Sequence, residues 1–338
     1  MVAAFSEAGH EVNGLDLGLY EGCDFGPAPP GMGQPRDIRD ASPAWLAGYD
    51  AVVCLAALSN DPLGHLNPDC TYSVNLAGTL ALARAAKQAK VERFLFASSC
   101  SLYGAAGSAL VAEDAQLSPV TPYGHAKIDA ERALSALADD NFSPVYLRNA
   151  TAYGASPRLR LDVVVNNLTA VAVTTGKVRL ESDGSPWRPL VHVQDIAAAF
   201  AAMLTAPREL IHNEAFNVGR ADDNVQIRDI AEMVRGAVPG SAVSMAEGAG
   251  PDLRSYQVDF AKLAATCPDL ELRWTVPAGV IELLAAYRRY GLSYQDFTSS
   301  RYIRLRHVQE LLDSGQVDDS LRRVSPGRAG MPQPTQVG

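Results

Sequence analysis

Cysteine is scarce in this chain and badly spaced for metal or redox work. The five thiols, Cys23, Cys54, Cys70, Cys100 and Cys267, form no Cys-x-x-Cys pair. That excludes zinc ribbons and thioredoxin-type motifs, so no metal site is expected. Several fall in strand or helix runs, as reduced, buried thiols do. Long apolar runs are missing too. The hydrophobic stretches are interrupted well short of the roughly 20 residues a membrane helix needs, and no signal-peptide pattern is visible. A cytoplasmic protein without a membrane partner is expected. Positive charge is in deficit: 29 Lys and Arg against 38 Asp and Glu leave a net charge of −9. A surface of that sign argues against nucleic acid as a partner. No internal repeat is visible.

Against these absences stands one informative constellation, Ser98-Ser99-Cys100-Ser101-Leu102-Tyr103-Gly104 followed by Tyr123-Gly-His-Ala-Lys127. A Tyr and a Lys four apart share one face of a helix. An ammonium beside a phenol favours the phenolate, and a phenol tuned towards neutral pH exchanges protons with a sugar or alcohol hydroxyl. A serine at the end of the preceding strand supplies a hydrogen bond to the same oxygen. That is the chemistry of reversible hydride transfer with a nicotinamide. The context sharpens a motif that is weak alone. Val91 to Ala97 is an apolar strand run, the serines follow its carboxyl end, and Thr121-Pro122 reads as a helix start.

The chain alternates strands and helices. Met1–Gly9 reads as the last turns of a helix, His10–Asp16 as a short strand, 26–35 as a Pro/Gly-rich loop, and Tyr49–Ala56 as a buried strand. Asp69–Lys90 reads as a long helix with Tyr72, Leu76, Leu80 and Ala83 on one stripe. Phe94–Ala97, Tyr123–Leu137 and Val145–Leu147 follow as strand, helix and strand. Further on come a helix at Val163–Thr175, a strand at Trp187–Val193, a helix at Asp195–Thr205, a strand at Ala215–Val218, and helices at Ile227–Val238 and Val276–Tyr290. This order predicts an α/β, Rossmann-like, doubly wound parallel sheet with a smaller C-terminal α/β part. The expected division is a dinucleotide-binding part over 1–160, with sheet and helix elements returning around 187–220. A mainly substrate-binding part covers 161–323, and a polar tail expected to be disordered covers 324–338.

The motifs Leu55-Ala-Ala57, Asn75, Ser98 to Gly104, Tyr123-x-x-x-Lys127, Leu147-Arg-Asn149 and Trp187-Arg-Pro-Leu-Val-His-Val193 together resemble the extended short-chain dehydrogenase/reductase family, in its NAD-dependent nucleotide-sugar epimerase/dehydratase branch. The resemblance implies NAD as cofactor, a nucleotide sugar as substrate, and a possible homodimer. It implies Ser99, Tyr123 and Lys127 as catalytic residues. Asp16 would take the adenosine ribose hydroxyls and oppose a 2′-phosphate, Asp37 and Ile38 would hold adenine, and Ala56 and Ala57 would let the cofactor pass. Asn75 would support the strand-end backbone, and Asn149 would lie near the nicotinamide amide. Towards substrate, the resemblance implies Ser99, Asn166 or its neighbour Asn167, and the diphosphate arginines Arg188 and Arg254. His192 reads as a satisfied core histidine and Cys100 as structural.

In one respect the sequence departs from the family. The family's first strand and its Gly-x-x-Gly-x-x-Gly turn would precede Glu7-Ala-Gly-His-Glu-Val12, and Met1 falls inside what resembles the first helix. The expectation is a shortened form that folds poorly and binds NAD weakly. Two further absences narrow the reaction. Sugar 4,6-dehydratases of this type carry Asp-Glu after the catalytic hydroxyl residue; Cys100 and Ser101 stand there instead. Enzymes that also epimerise C3 or C5 place a cysteine where this chain has Ser101. Epimerisation at C4 is therefore expected. The alternatives are a nucleotide-sugar ketoreductase and a non-catalytic nucleotide-sugar-binding or subunit-interaction protein.

Overall fold

A computed structural model describes residues 1–27, 35–59, 61–104, 109–248, 250 and 255–324. Four parallel strands form the main sheet, in the order Ala51–Cys54, Arg93–Ser99, Ser143–Asn149 and Ala215–Val218. Residues alternate between the faces of a strand, and here both faces are apolar. On one face Phe94, Phe96 and Tyr146 pack with Leu82, Ala86 and Leu134, from the helices Thr79–Gln88 and Pro122–Ser135. On the other, Leu95, Val145, Leu147 and Phe216 pack with Phe200 and Met203 of the helix Val193–Thr205. A sheet covered on both sides by helices is the doubly wound arrangement read from the sequence.

A separate core joins the helices Val164–Thr175, Ile227–Ala237 and Val276–Tyr290 through Val165, Leu168, Ile230, Val234, Val280 and Leu283. Its residues begin at Tyr153, apart from Phe25, which three tyrosines meet edge-on. This partition supports a division near residue 160, which we retain as a proposal. The expected tail lies, from residue 325, outside the described residues.

Two features differ from the sequence reading. The expected strand His10–Asp16 makes no ladder; Val12 and Leu15 only lean on the two sheet-face cores. An extended segment becomes a strand only beside a partner, and among the described residues the outer side of Ala51–Cys54 has none. The long helix does run from Pro68 to Gln88, but Ser73–Gly78 is π-wound. One extra residue in that turn shifts the inward stripe to Thr71, Asn75, Thr79, Leu82 and Ala86, all buried. Tyr72, Leu76 and Leu80 are left half-buried. The strands Lys177–Leu180 and Ala242–Met245, paired in parallel, were not anticipated, nor was the helix Arg304–Asp313.

Where the second core meets the sheet, Asp223 is buried with Oδ2 3.7 Å from Arg220 Nε but without a hydrogen bond, near the buried Tyr153 hydroxyl, which also has none. Burial pushes the Asp223 carboxyl up to about 6 against the pull of Arg220. The folded state thus holds this proton more tightly than the unfolded chain, where Asp titrates near 3.9. The stability it contributes is full below about pH 3.9 and is lost as pH rises through 6. Asp223→Asn is accordingly expected to raise the urea midpoint at pH 7.5, with the gain vanishing near pH 4. A gain of equal size at both pH values would assign the effect to packing instead.

Candidate functional site

Parallel register builds the site. Arg93–Ser99 and Ser143–Asn149 pair rung by rung, with Ser98 opposite Arg148 and Ser99 opposite Asn149. The strand ends at Cys54, Ser99, Asn149 and Val218 therefore line one edge of the sheet, the carboxyl edge at which ligands bind in such folds. Ala56 and Ala57, both half-buried, follow the first of these ends. The backbone beyond them is held by Asn75 from the π turn: its Oδ1 accepts from Leu58 N at 2.8 Å and its Nδ2 donates to Leu58 O at 3.1 Å.

The helix carrying Tyr123 and Lys127 starts as its sequence dictates. Thr121 caps it by accepting from Gly124 N, and Pro122 occupies the first turn. Tyr123, half-buried, packs against Gly64. Lys127 is 2% exposed; its Nζ donates to Ala97 O at 2.6 Å and lies 4.4 Å from the Phe96 ring centre and 5.8 Å from that of Tyr123. Burial pulls this ammonium down to about 8.

Ser99 is half-buried and its Oγ accepts from Ser101 N at 3.1 Å, closing a 3-10 turn over Cys100–Tyr103. Cys100 points into the core, donating to Arg148 O. Asn149 Nδ2 donates to Ser98 O at 3.3 Å, while its buried Oδ1 has no partner. Ser101 Oγ is a second buried atom without one. Unsatisfied polar atoms beside strand ends suit a ligand that completes them.

Other expected residues lie further out. Asp16 is exposed, and its carboxylate accepts from Gly18 N. Asp37 caps a 3-10 turn and is gripped by Arg39 and, at 3.6 Å, by Arg322. These cations, together with hydrogen bonds from Arg39, hold its carboxyl below the usual range against the effect of burial. Ile38 is buried against Gly78. Arg188 donates to Trp187 O. Asn166 is buried and spends both ends of its amide on Gly154 and Arg160 backbone. Asn167 likewise binds Leu161 O. Arg254 lies outside the described residues. His192 is satisfied, with Nδ1 accepting from Gln194 N and Nε2 against Glu282, its ring stacked 3.9 Å from that of Trp274.

The family model for the NAD dependent epimerase/dehydratase family matches residues 1–219. The chain belongs to this family. It is an NAD-dependent enzyme of the epimerase/dehydratase type. Its relatives include UDP-glucose 4-epimerases of Erwinia amylovora, 27% identical over 256 residues (69% of this chain, 73% of that one), and of Bacillus subtilis strain 168, 28% identical over 243 residues (66% and 69%). Among solved structures, MoeE5 in complex with UDP-glucose and NAD is 25% identical at a TM-score of 0.70, over 85% of this chain and 94% of that one. TunA, an NAD-dependent NDP-hexosamine 5,6-dehydratase, is 20% identical at a TM-score of 0.74, over 85% and 92%, and speaks for the fold.

The residues present suit a bound cofactor at the strand ends, where the buried Asn149 oxygen has no partner and the small Ala56 and Ala57 follow Cys54. Sequence reasoning missed three side chains around this candidate site. Arg160 pairs with Asp162 at 2.9 Å, donates to Ser59 Oγ at 3.1 Å, and lies within electrostatic reach of Tyr123. Its signal was the loop Ser156-Pro-Arg-Leu-Arg160, with two arginines just past Gly154. Glu131, on the helix of Tyr123, and Arg148, on the strand Ser143–Asn149, form a buried ion pair at 2.7 Å.

Gly104 closes the turn after Ser99 with φ +66, and a Cβ there would stand 1.7 Å from Ser118 O. Gly104→Ala is expected to lose on the order of 3 kcal/mol in urea unfolding. Gly48→Ala, also at positive φ but with nothing within 4 Å of the added carbon, is expected to lose about 1 kcal/mol. Equal losses would mean that φ alone sets the effect.

Proposed function

We propose that this chain is a nucleotide-sugar epimerase working at C4, with a uridine-diphosphate hexose as substrate class. The observation that carries the reading is Tyr123 and Lys127 on one helix face, beside a strand end that presents Ser99 and carries no acidic pair after it. The UDP-glucose 4-epimerases among the relatives support it. NAD, when bound, supplies the acceptor and later the donor of the C4 hydride.

The chain's own residues move the proton. Tyr123 removes it from the 4-hydroxyl as general base and returns it as general acid. Lys127, buried against Ala97 O, stabilises the phenolate and holds the nicotinamide ribose. Ser99 hydrogen-bonds the reacting oxygen and helps keep the transient 4-keto sugar oriented. For the cofactor, Asp16 takes the adenosine ribose, Asp37 and Ile38 the adenine, and Asn149 the carboxamide. Ala56 and Ala57 leave room for its backbone, and Asn75 fixes the loop beside it. The diphosphate is assigned to Arg188 and Arg254, since planar guanidinium forks suit paired oxygens.

Turnover of UDP-glucose and UDP-glucuronate with NAD, followed by chromatography of the 4-epimers, tests the reading. Tyr123→Phe is expected to lower kcat by roughly 10²–10⁴-fold with the unfolding midpoint unchanged. Ser99→Ala is expected to lose less, since it removes one hydrogen bond and not the proton carrier. A Tyr123→Phe variant that keeps its rate would move the site elsewhere. Net consumption of NADH with a 4-keto substrate, without epimerisation, would make the enzyme a ketoreductase.

A further inference from the structure

Lys127 is buried, yet its hydrogen bond goes to an uncharged acceptor, the carbonyl of Ala97. A buried ammonium without compensating charge tends to shed its proton. One turn further along the same helix stands Glu131, itself 7% exposed. Residues four apart on a helix are neighbours.

Glu131 is fixed from two strands. Ser98 Oγ donates to its Oε1 at 2.5 Å, Arg148 Nε to the same oxygen at 3.1 Å, and an Arg148 terminal nitrogen to Oε2 at 2.7 Å. Arg148 is in turn fixed by Tyr103 Oη at 3.1 Å and Glu113 O at 2.8 Å. Both strand anchors adjoin candidate site residues: Ser98 precedes Ser99, and Arg148 precedes Asn149.

We propose that Glu131 is a positioning residue for Lys127: its anchored carboxylate supplies the negative potential that keeps the buried ammonium charged and aimed at the strand end. The inference rests on the reading of Lys127 as the partner of Tyr123. The groups facing the ammonium agree with it. The Cys54 thiol stands on the edge strand, the Phe96 ring on the next, Tyr123 and Glu131 on its own helix. Of these, Glu131 is the carboxylate. Cys54 and then Glu131 act on Lys127 against the pull of burial, but burial pushes the Cys54 thiol up and keeps it neutral, which leaves Glu131 as the group that carries charge.

The chain contains five lysines, Lys87, Lys90, Lys127, Lys177 and Lys262. Carbon-13-labelled lysine therefore gives a spectrum in which one ε-carbon can be followed, assigned by its disappearance in Lys127→Met. The titration is run on the protein without NAD or substrate. The Lys127 midpoint is expected near 8 in the parent and at least about one unit lower in Glu131→Gln, a tenfold loss of proton affinity. Leaving Arg148 unpaired can unfold that variant, so Glu131→Leu with Arg148→Met is measured alongside. Replacing a buried ion pair by apolar groups of similar volume preserves stability in other proteins. The double variant is expected to melt like the parent yet keep the lowered midpoint, whereas a purely structural role would return both to parental values. An unchanged Lys127 midpoint in a folded Gln or double variant overturns the proposal. Failure of the catalytic reading shows separately, as an undiminished rate in Tyr123→Phe.

Discussion

The rung-for-rung pairing of Arg93–Ser99 with Ser143–Asn149 is the constraint on which the rest depends. Side chains alternate along each strand, so a slip of one residue would turn Phe94 and Phe96 towards the wrong helices. The same slip would part Ser99 from Asn149 and Ser98 from Arg148. The apolar cores on both faces therefore fix the polar edge as well. Leu95 and Val145 on one side, Phe96 and Tyr146 on the other, make any other register expose or misplace several large side chains at once.

Behind that edge the molecule buries charge, which apolar packing alone would avoid. Removing one partner of a buried ion pair typically destabilises by about 3–5 kcal/mol, although the intact pair adds little net stability. Glu131 and Arg148 tie the helix of Tyr123 to two strands through directional bonds that an apolar contact would not supply. The π-wound turn at Ser73–Gly78 has a comparable local effect: its extra residue brings Asn75 inward to clamp Leu58 at the neighbouring strand end.

Much of this was legible in the sequence where local chemistry dictates it. Thr121-Pro122 announced its helix, the apolar run before Ser98 announced its strand, and Val276–Tyr290 was read to the residue. His192 was read as a satisfied core histidine, and Cys100 as structural because side chains alternate along an extended strand end. The rest depends on distant partners. Nothing local marks a π turn, because the apolar spacing around it hardly changes. Lys177–Leu180 and Ala242–Met245 are four-residue strands that exist only because each has the other. His10–Asp16 shows the converse, a strand-like segment without a neighbour. Arg160 was missed because a loop arginine reveals its orientation only once the chain has folded around it.

The segment at 317–324 folds back onto residues 17–40. Arg323 binds the carbonyls of Leu17 and Gly18, Arg322 grips Asp40 with both nitrogens, and Arg39 reaches Ser320 O. Leu321 and Val317 join Leu58 and Cys70 in a small core of their own. The contact between Leu17 and Arg323 spans 306 residues. A ribosome adding about 5–20 residues per second needs roughly 15–60 s to cover that distance. For all of that time the first loop is a finished sequence without its finished surroundings. The region around Asp16 and Asp37 is thus synthesised long before the segment that completes it.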